Sequence, residues 1–151
     1  MRIVTLTFLA ALCVVGAAEA QQPKSGWIAD PKSGCKVWNE NPIANEHISW
    51  SGPCVGGIAN GNGTLQWYAN NKPTDRYVGE LGNGRENGQG AYYWPEGARY
   101  EGAWKDGKAH GFGTRVNAQG KVFTGQWVNG CFDNGTDRAW VGVERADCGF
   151  R

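Results

Sequence analysis

The 151-residue chain lacks an excess of charge of either sign, because 15 Lys and Arg are balanced by 14 Asp and Glu. Nucleic-acid binding needs a concentrated cationic face, and this balance removes the simplest argument for it. The chain also has only two His, at positions 47 and 110, and no C-x-x-C motif. Zinc sites are commonly built from such residues, so we expect no nucleic acid, no metal and no cofactor.

The sequence also lacks an apolar run long enough to cross a bilayer. The run at residues 3–15 is shorter than the roughly 20 residues that a transmembrane helix needs. Arg2 precedes it and Ala18-Glu19-Ala20 follows it as an A-x-A cleavage site, which is typical of a secretory signal peptide over residues 1–20. We therefore predict an exported protein, periplasmic or secreted, whose mature chain begins at Gln21.

A recognisable catalytic set is missing as well. Glu80 and Glu101 lie in neighbouring segments at different offsets, and His110 falls in a stretch predicted to be a turn. The glycine-rich stretch 82–90 lacks the G-K-[ST] of a phosphate-binding loop. The serines after residue 20 stand outside any G-x-S-x-G motif. We therefore expect no enzymatic activity.

Glycine and aromatic residues, by contrast, are abundant. Gly accounts for 24 of the 151 residues, and the chain has 8 Trp, 5 Tyr and 5 Phe. So many aromatic side chains argue against a disordered chain, and the length is that of a single domain.

Four cysteines remain after Cys13 is removed with the signal peptide: Cys35, Cys54, Cys131 and Cys148. An even number in an exported chain predicts disulfides, because that compartment is oxidising. Loop closure favours the local pairs Cys35–Cys54 and Cys131–Cys148. The sequence leaves the other two connectivities open.

A 23-residue repeat is the strongest pattern in the chain. Tyr77-Val-Gly-Glu-Leu81 recurs as Tyr100-Glu-Gly-Ala-Trp104 and as Phe123-Thr-Gly-Gln-Trp127, with glycines following at matching positions. An earlier copy begins at Trp50, 27 residues before the next, which indicates an insertion around residues 70–75. Repeats of this kind indicate that each unit buries its apolar face against its neighbours.

Each unit has the pattern of a β-hairpin. Alternate positions of Tyr100-Glu-Gly-Ala-Trp104 put aromatic, glycine and aromatic on one face of a strand. Asp106-Gly107 is a dipeptide that a type I′ turn prefers, and Asn83-Gly84 and Asn129-Gly130 repeat the signal in register. Gly113 lies in the return strand, where we expect aromatic rings to lie over glycine. Stacked hairpins predict an elongated, twisted antiparallel sheet.

The pattern Y-x-G-x-W-x-x-G-x-x-x-G-x-G resembles the MORN repeat, in about three and a half units over residues 50–132. Leu81 replaces the second aromatic residue in one unit, and Cys54 stands at that place in the first. The last unit loses its return strand after Gly130. The resemblance implies an all-β fold, an elongated twisted antiparallel sheet of stacked MORN hairpins.

The two ends are expected to cap this sheet, because open sheet edges invite aggregation. Residues 21–49 are rich in Pro, Asn and Ser and are predicted to form an irregular, disulfide-tied N-terminal cap, with residues 133–151 as the C-terminal cap. Exported bacterial MORN proteins carry a Cys-containing segment before W-S-G-x-C, which Trp50-Ser-Gly-Pro-Cys54 resembles. That resemblance supports the Cys35–Cys54 pair.

The resemblance implies a non-catalytic scaffold or protein-interaction module with another protein as its partner. The alternative is a binding module for membrane lipid or cell-wall glycan that uses the aromatic face. Tyr and Trp often dominate binding energy, although rings in a thin sheet also serve as packing, and the sequence leaves both roles open. The candidate binding residues are Tyr77, Tyr92, Tyr93, Trp94, Tyr100, Trp104, Phe123 and Trp127.

Overall fold

The computed structural model describes residues 25–150 of the chain. The predicted signal peptide at residues 1–20 lies outside the described residues. Within them the strands are β1 Gly26–Ala29, β2 Lys36–Asn39, β3 Glu46–Trp50, β4 Cys54–Val55, β5 Ile58–Ala59, β6 Gly61–Ala69, β7 Lys72–Gly82, β8 Arg85–Tyr93, β9 Arg99–Lys105, β10 Lys108–Val116, β11 Val122–Trp127, β12 Cys131–Asp133 and β13 Arg138–Trp140. A short 3-10 helix, Arg145–Cys148, follows them.

Seven of these strands form the central sheet, in the order β11-β10-β9-β8-β7-β6-β3. All neighbours in it are antiparallel, and from β6 to β11 consecutive strands are hydrogen-bonded to one another. This arrangement confirms the predicted all-β fold and its antiparallel sheet of stacked hairpins.

The hairpin turns use the predicted dipeptides. A type I′ turn needs positive φ at both central residues, which Asn, Asp and Gly tolerate. Asn83 and Gly84 have φ of 51° and 74°, and the two later turns repeat these values closely. The insertion lengthens the hairpin of β6 and β7. Its turn is formed by Asn70 and Asn71, with φ of 50° and 62°.

Each turn is also hydrogen-bonded to the strand that follows the turn of the preceding unit. In each unit the N–H of the turn glycine donates to a carbonyl of an earlier unit, and these bonds form a ladder along one margin of the sheet. The pairs are Gly84 to Ala59 at 2.9 Å, Gly107 to Glu86 at 3.0 Å and Gly130 to Ala109 at 2.8 Å.

A continuous row of glycines crosses the sheet beneath the tyrosine rings. The rings of Tyr77 and Tyr100 lie over Gly90 and Gly113, so closely that neither glycine has room for a β-carbon. This confirms the predicted use of glycine for close approach. The row runs Gly63, Gly79, Gly90, Gly102, Gly113 and Gly125, each paired with the next across neighbouring strands.

The hydrogen bonds of the rings repeat as the sequence does. The Tyr77 hydroxyl donates to the Glu80 carbonyl at 2.9 Å. The Tyr100 hydroxyl donates to the Ala103 carbonyl, also three residues along the chain, at 3.0 Å. Trp104 and Trp127 each donate their indole N–H to a carbonyl of the glycine row at 3.1 Å. Buried rings with satisfied polar atoms therefore form the core of every unit.

The N-terminal segment differs from its prediction. Residues 21–49 were expected to be irregular, and that is wrong for the part described, because β1 and β2 pair with each other and β3 pairs with β6 at the edge of the central sheet. β1, β2, β5 and β4 form a separate four-stranded sheet. We call residues 25–45 with 54–59 the N-terminal cap. Its strands are short and lie between Pro and Asn residues, which mask a strand pattern in the sequence.

At the other end, residues 131–150 form what we call the C-terminal cap. It consists of the hairpin of β12 and β13 followed by the 3-10 helix. Cys131 is bonded to Cys148 in this cap, and Cys35 is bonded to Cys54 in the other. Both predicted disulfide pairs are therefore confirmed.

Candidate functional site

A groove of about 540 Å³ lies between the two caps on the face of the central sheet that carries the tyrosine rings. Loop residues after β2 wall one end, and residues after β13 wall the other. Strands β6 to β10 contribute the floor. The lining residues that carry aromatic or charged side chains are Trp38, Glu40, Glu46, Trp67, Asp75, Arg85, Glu86, Tyr92, Trp94, Glu96, Trp104, Lys108, Arg115, Trp140, Glu144 and Asp147.

The floor of the groove is a group of rings centred on Tyr92. Its ring centroid lies 4.6 Å from that of Trp94, 5.7 Å from that of Trp67 and 6.0 Å from that of Trp104. Trp67 and Trp104 are nearly fully buried, whereas Tyr92 and Trp94 are partly exposed. The centre of the groove therefore presents a tyrosine ring on a base of packed indoles.

An arginine stacks on tryptophan at each end of the groove. The Arg85 guanidinium lies 4.5 Å from the ring centroid of Trp38 and forms an ion pair of 2.7 Å with Glu40. At the other end Arg115 lies 5.7 Å from Trp94, contacts Trp140 as well, and donates to its carbonyl. Cation–π contacts of this kind tie each cap to the sheet.

Carboxylates outnumber cations along the groove. Seven Asp and Glu side chains line it, against three Lys and Arg side chains. Burial raises the pKa of the Asp75 carboxyl, and repulsion from Glu96 adds to this, while hydrogen bonding to Tyr92 opposes it. The groove is therefore an acidic site in a chain whose overall charge is nearly zero.

Glu86 has the most perturbed carboxyl of the groove. Burial raises its pKa to about 6, repulsion from Glu40 adds to this, and its own backbone N–H and Arg85 oppose it. Within residues 25–150 no other residue donates a hydrogen bond to this carboxylate. Its charge at neutral pH is therefore weakly compensated.

Glu86 also breaks the pattern of the repeat. The same position is occupied by Ala59 in the preceding unit and by Ala109 in the next, and both are fully buried. The residue opposite changes with it, because Leu81 faces Glu86 where Trp104 faces Ala109. A smaller residue on β7 thus accompanies a larger, charged one on β8.

The predicted binding residues fall into three groups. Five of them are core residues: Tyr77 and Tyr100 are fully buried, and Trp104, Phe123 and Trp127 are at most 7% exposed. Tyr93 lies on the opposite face under the Arg76 guanidinium. Tyr92 and Trp94 line the groove, as does the margin of Trp104. A binding role stays a prediction for these three.

Two charged groove residues were not predicted from the sequence, although the repeat contains a signal for each. Glu86 stands where the neighbouring units have alanine, and Arg115 stands where they have Leu65 and Tyr92. Aligning the units column by column exposes both exceptions. Trp38 and Trp140 lie outside the repeat and reach the groove through the caps, so no local pattern marks them.

The candidate catalytic groups lie apart from this groove. Glu80 and Glu101 are exposed on strands, as predicted. His110 was expected in a turn, but it lies within β10, where its Nδ1 accepts a hydrogen bond from the Asn129 N–H at 3.3 Å. The prediction failed because the turn ends at Gly107, one residue before the strand begins. No group of three or more possible metal ligands occurs between residues 25 and 150.

None of the helices in the described part of the chain is long and apolar enough to span a membrane.

The comparison with protein families agrees with the geometry of the sheet. The family model of the MORN repeat matches residues 55–72, 77–99 and 100–122. A search of curated proteins finds no significant match. The matched segments cover the hairpins of β6 to β10, whose rings and glycines form the floor of the groove. The chain therefore contains three adjacent MORN repeats within residues 55–122.

Proposed function

We propose that this protein is a non-catalytic interaction module that holds a segment of a partner protein in the groove between its caps. MORN repeats are generally protein- or membrane-interaction modules. The observation that carries the proposal is the groove itself, about 540 Å³ in volume, with a partly exposed aromatic floor. Aromatic residues that stay partly exposed in a concave site are typical of binding surfaces.

The charge of the groove favours a protein over an anionic membrane. Proteins that bind anionic lipid by charge present clusters of Lys and Arg to the surface. Here the groove has seven carboxylates against three cations, so an anionic lipid headgroup would be repelled.

The arrangement of the rings favours a protein over a glycan. A sugar stacks on an open ring face, but arginine covers one face of Trp38, Trp94 and Trp140. Trp67 and Trp104 are at most 7% exposed, so neither offers an open ring face. Side chains that reach between the rings suit this surface better than a flat sugar does.

We further propose that the protein acts after export. Two disulfides between the paired cysteines are compatible with an extracellular location, because oxidising compartments preserve them. N-terminal sequencing of the protein recovered outside the cytoplasm tests this, with Gln21 as the expected first residue. Recovery of an uncleaved chain from the cytoplasm would contradict it.

Site-specific photo-cross-linking in the native cells tests the binding role. A photoreactive benzoylphenylalanine is placed at Trp94 in the groove, and in a matched variant at Phe112, which is 61% exposed on the opposite face. We expect one protein adduct from position 94 that is absent from position 112. Equal labelling from both positions, or adducts with lipid or glycan at 94, would overturn the proposal.

A further inference from the structure

We infer that the partner segment is cationic, presenting Lys or Arg side chains to the groove, and that Glu86 is the carboxylate that pairs with them. This inference rests on the proposed function, because it names the chemistry of the segment that the groove holds. It commits to a protein segment rather than to a polyamine, a glycan or a lipid.

The charge of the groove is complementary to a cationic segment. The excess of carboxylates is confined to the groove, since the chain as a whole has 15 basic and 14 acidic residues. The excess arises from distant parts of the chain, including Glu40 before β3, Glu86 in β8 and Glu144 after β13. Focused charge of one sign in a concave site attracts ligands of the opposite sign.

The arginines of the groove lie at its ends and leave the centre without a cation on its rings. Arg85 and Arg115 stack on tryptophan at the two ends of the groove. Across residues 25–150, no Lys or Arg stacks on the rings of Tyr92, Trp67 or Trp104. The centre therefore combines a tyrosine ring with the Glu86 and Asp75 carboxylates, and this combination favours an incoming ammonium or guanidinium group.

Glu86 is an exception within the repeat. Neighbouring units fill this position with a fully buried alanine, so the hairpin fold does not require a carboxylate there. A charged group that the architecture does not need, in a cleft, with a pKa perturbed mainly by desolvation, is typical of a functional site. Pairing with a ligand cation would add to the weak compensation that Arg85 and the Glu86 backbone N–H supply.

Peptide binding to the full exported chain tests the inference. The probes are a ten-residue peptide of alternating Lys and Gly and a matched peptide of alternating Glu and Gly. Dissociation constants are measured by calorimetry at low and high salt. The variants are Glu86→Gln, which keeps the shape of the side chain, and Glu101→Gln, which removes an exposed carboxylate on the opposite face. Thermal unfolding of each variant verifies that it is folded.

We expect the Lys peptide to bind, the Glu peptide not to bind, and high salt to weaken the complex. Glu86→Gln should weaken Lys-peptide binding at least about tenfold, the order expected when one charge-assisted pair is lost, while Glu101→Gln leaves it unchanged. Equal affinity in Glu86→Gln and the unaltered chain would overturn the inference, as would absence of binding or equally tight binding of the Glu peptide.

The two proposals fail in different ways. A specific protein adduct at position 94, together with peptide binding that ignores Glu86, would leave the interaction module standing and remove the cationic segment. Adducts with glycan or lipid at position 94 would remove the proposed function whatever the peptides do.

Discussion

The side chain of Tyr100 in β9 lies over Gly113 in β10, and the hydroxyl oxygen is the atom that a β-carbon at position 113 would meet first. The ring itself is fully buried, and its hydroxyl is held by the Ala103 carbonyl at 3.0 Å. The tyrosine therefore has no room to move aside. One repeat earlier, Tyr77 and Gly90 have the same relationship.

Gly113→Ala should therefore destabilise the fold. Forcing a methyl group into a packed site typically lowers the free energy of unfolding by about 1–3 kcal/mol. Because the Tyr100 ring is rigid, we expect a value at the upper end of this range. Gly90→Ala should cost a similar amount. The free energy of unfolding from urea titration is the measurement, and an unchanged value for either variant would contradict the ring-over-glycine geometry.

Trp104→Ala should lower the free energy of unfolding by about 3–5 kcal/mol, the usual cost of truncating a buried tryptophan. Only 4% of Trp104 is exposed, and its indole N–H donates to the Gly90 carbonyl. Phe112→Ala is the matched control, because that ring is exposed and its loss should change stability by no more than about 0.5 kcal/mol. Similar effects of the two substitutions would show that Trp104 is not a core residue.

Glu86 should destabilise the folded protein at neutral pH. Its pKa rises from 4.5 to about 6 on folding, so the folded state binds a proton more tightly than the unfolded chain. Its unfavourable contribution is absent below pH 4.5, develops as the pH rises through about 6, and is complete above that. This rise in the pKa corresponds to a loss of about 2 kcal/mol in the free energy of unfolding above pH 6.

Glu86→Gln should therefore raise the free energy of unfolding by up to about 2 kcal/mol at pH 8 and leave it unchanged at pH 4. Other titrating groups, among them the neighbouring Asp75, Glu40 and Lys108, are common to both proteins. The difference between them thus isolates Glu86. Urea titrations at the two pH values measure it, and an equal effect at both would show that the carboxyl titrates normally.

Removal of the Cys35–Cys54 bridge should destabilise the protein by about 3 kcal/mol. The bond closes a loop with a sequence separation of 19, and its loss restores conformational freedom to the unfolded chain. The double variant Cys35→Ala/Cys54→Ala is compared with the oxidised parent in thermal and urea unfolding. An Ellman assay of the denatured parent after signal-peptide removal should find no free thiol. Detection of one would contradict the paired state of the four cysteines.

The sequence predicts the repeating part of the fold better than its ends. Asn83-Gly84 marks a turn because few dipeptides tolerate positive φ at both residues, and the tyrosine-to-glycine spacing marks the ring packing. The strands of the N-terminal cap carry no such signal. Trp27-Ile28 and Val37-Trp38 are too short to show alternation, and their pairing depends on contacts with β5 and with the Gly84 turn.

A groove was not predicted from the sequence, which indicated an aromatic binding face. Three of the aromatic residues named for that face, Tyr92, Trp94 and Trp104, line the groove, and they were named because they belong to the repeat. The acidic character was not predicted, because it depends on side chains such as Glu40 and Glu144, which lie more than 100 residues apart. Folding brings their charges to one site, whereas the net charge of the whole chain, which is close to zero, does not reveal them.

The ladder of turn glycines relates the number of repeats to the distance between the caps. Each turn glycine donates to the preceding unit, so every further hairpin adds two strands between the caps, and adjacent strands lie about 4.8 Å apart. One additional 23-residue unit would lengthen the groove by about 10 Å, close to three residues of an extended peptide at about 3.3 Å each. The number of hairpins therefore sets the length of the groove, and with it the length of partner segment that the proposed function would accommodate.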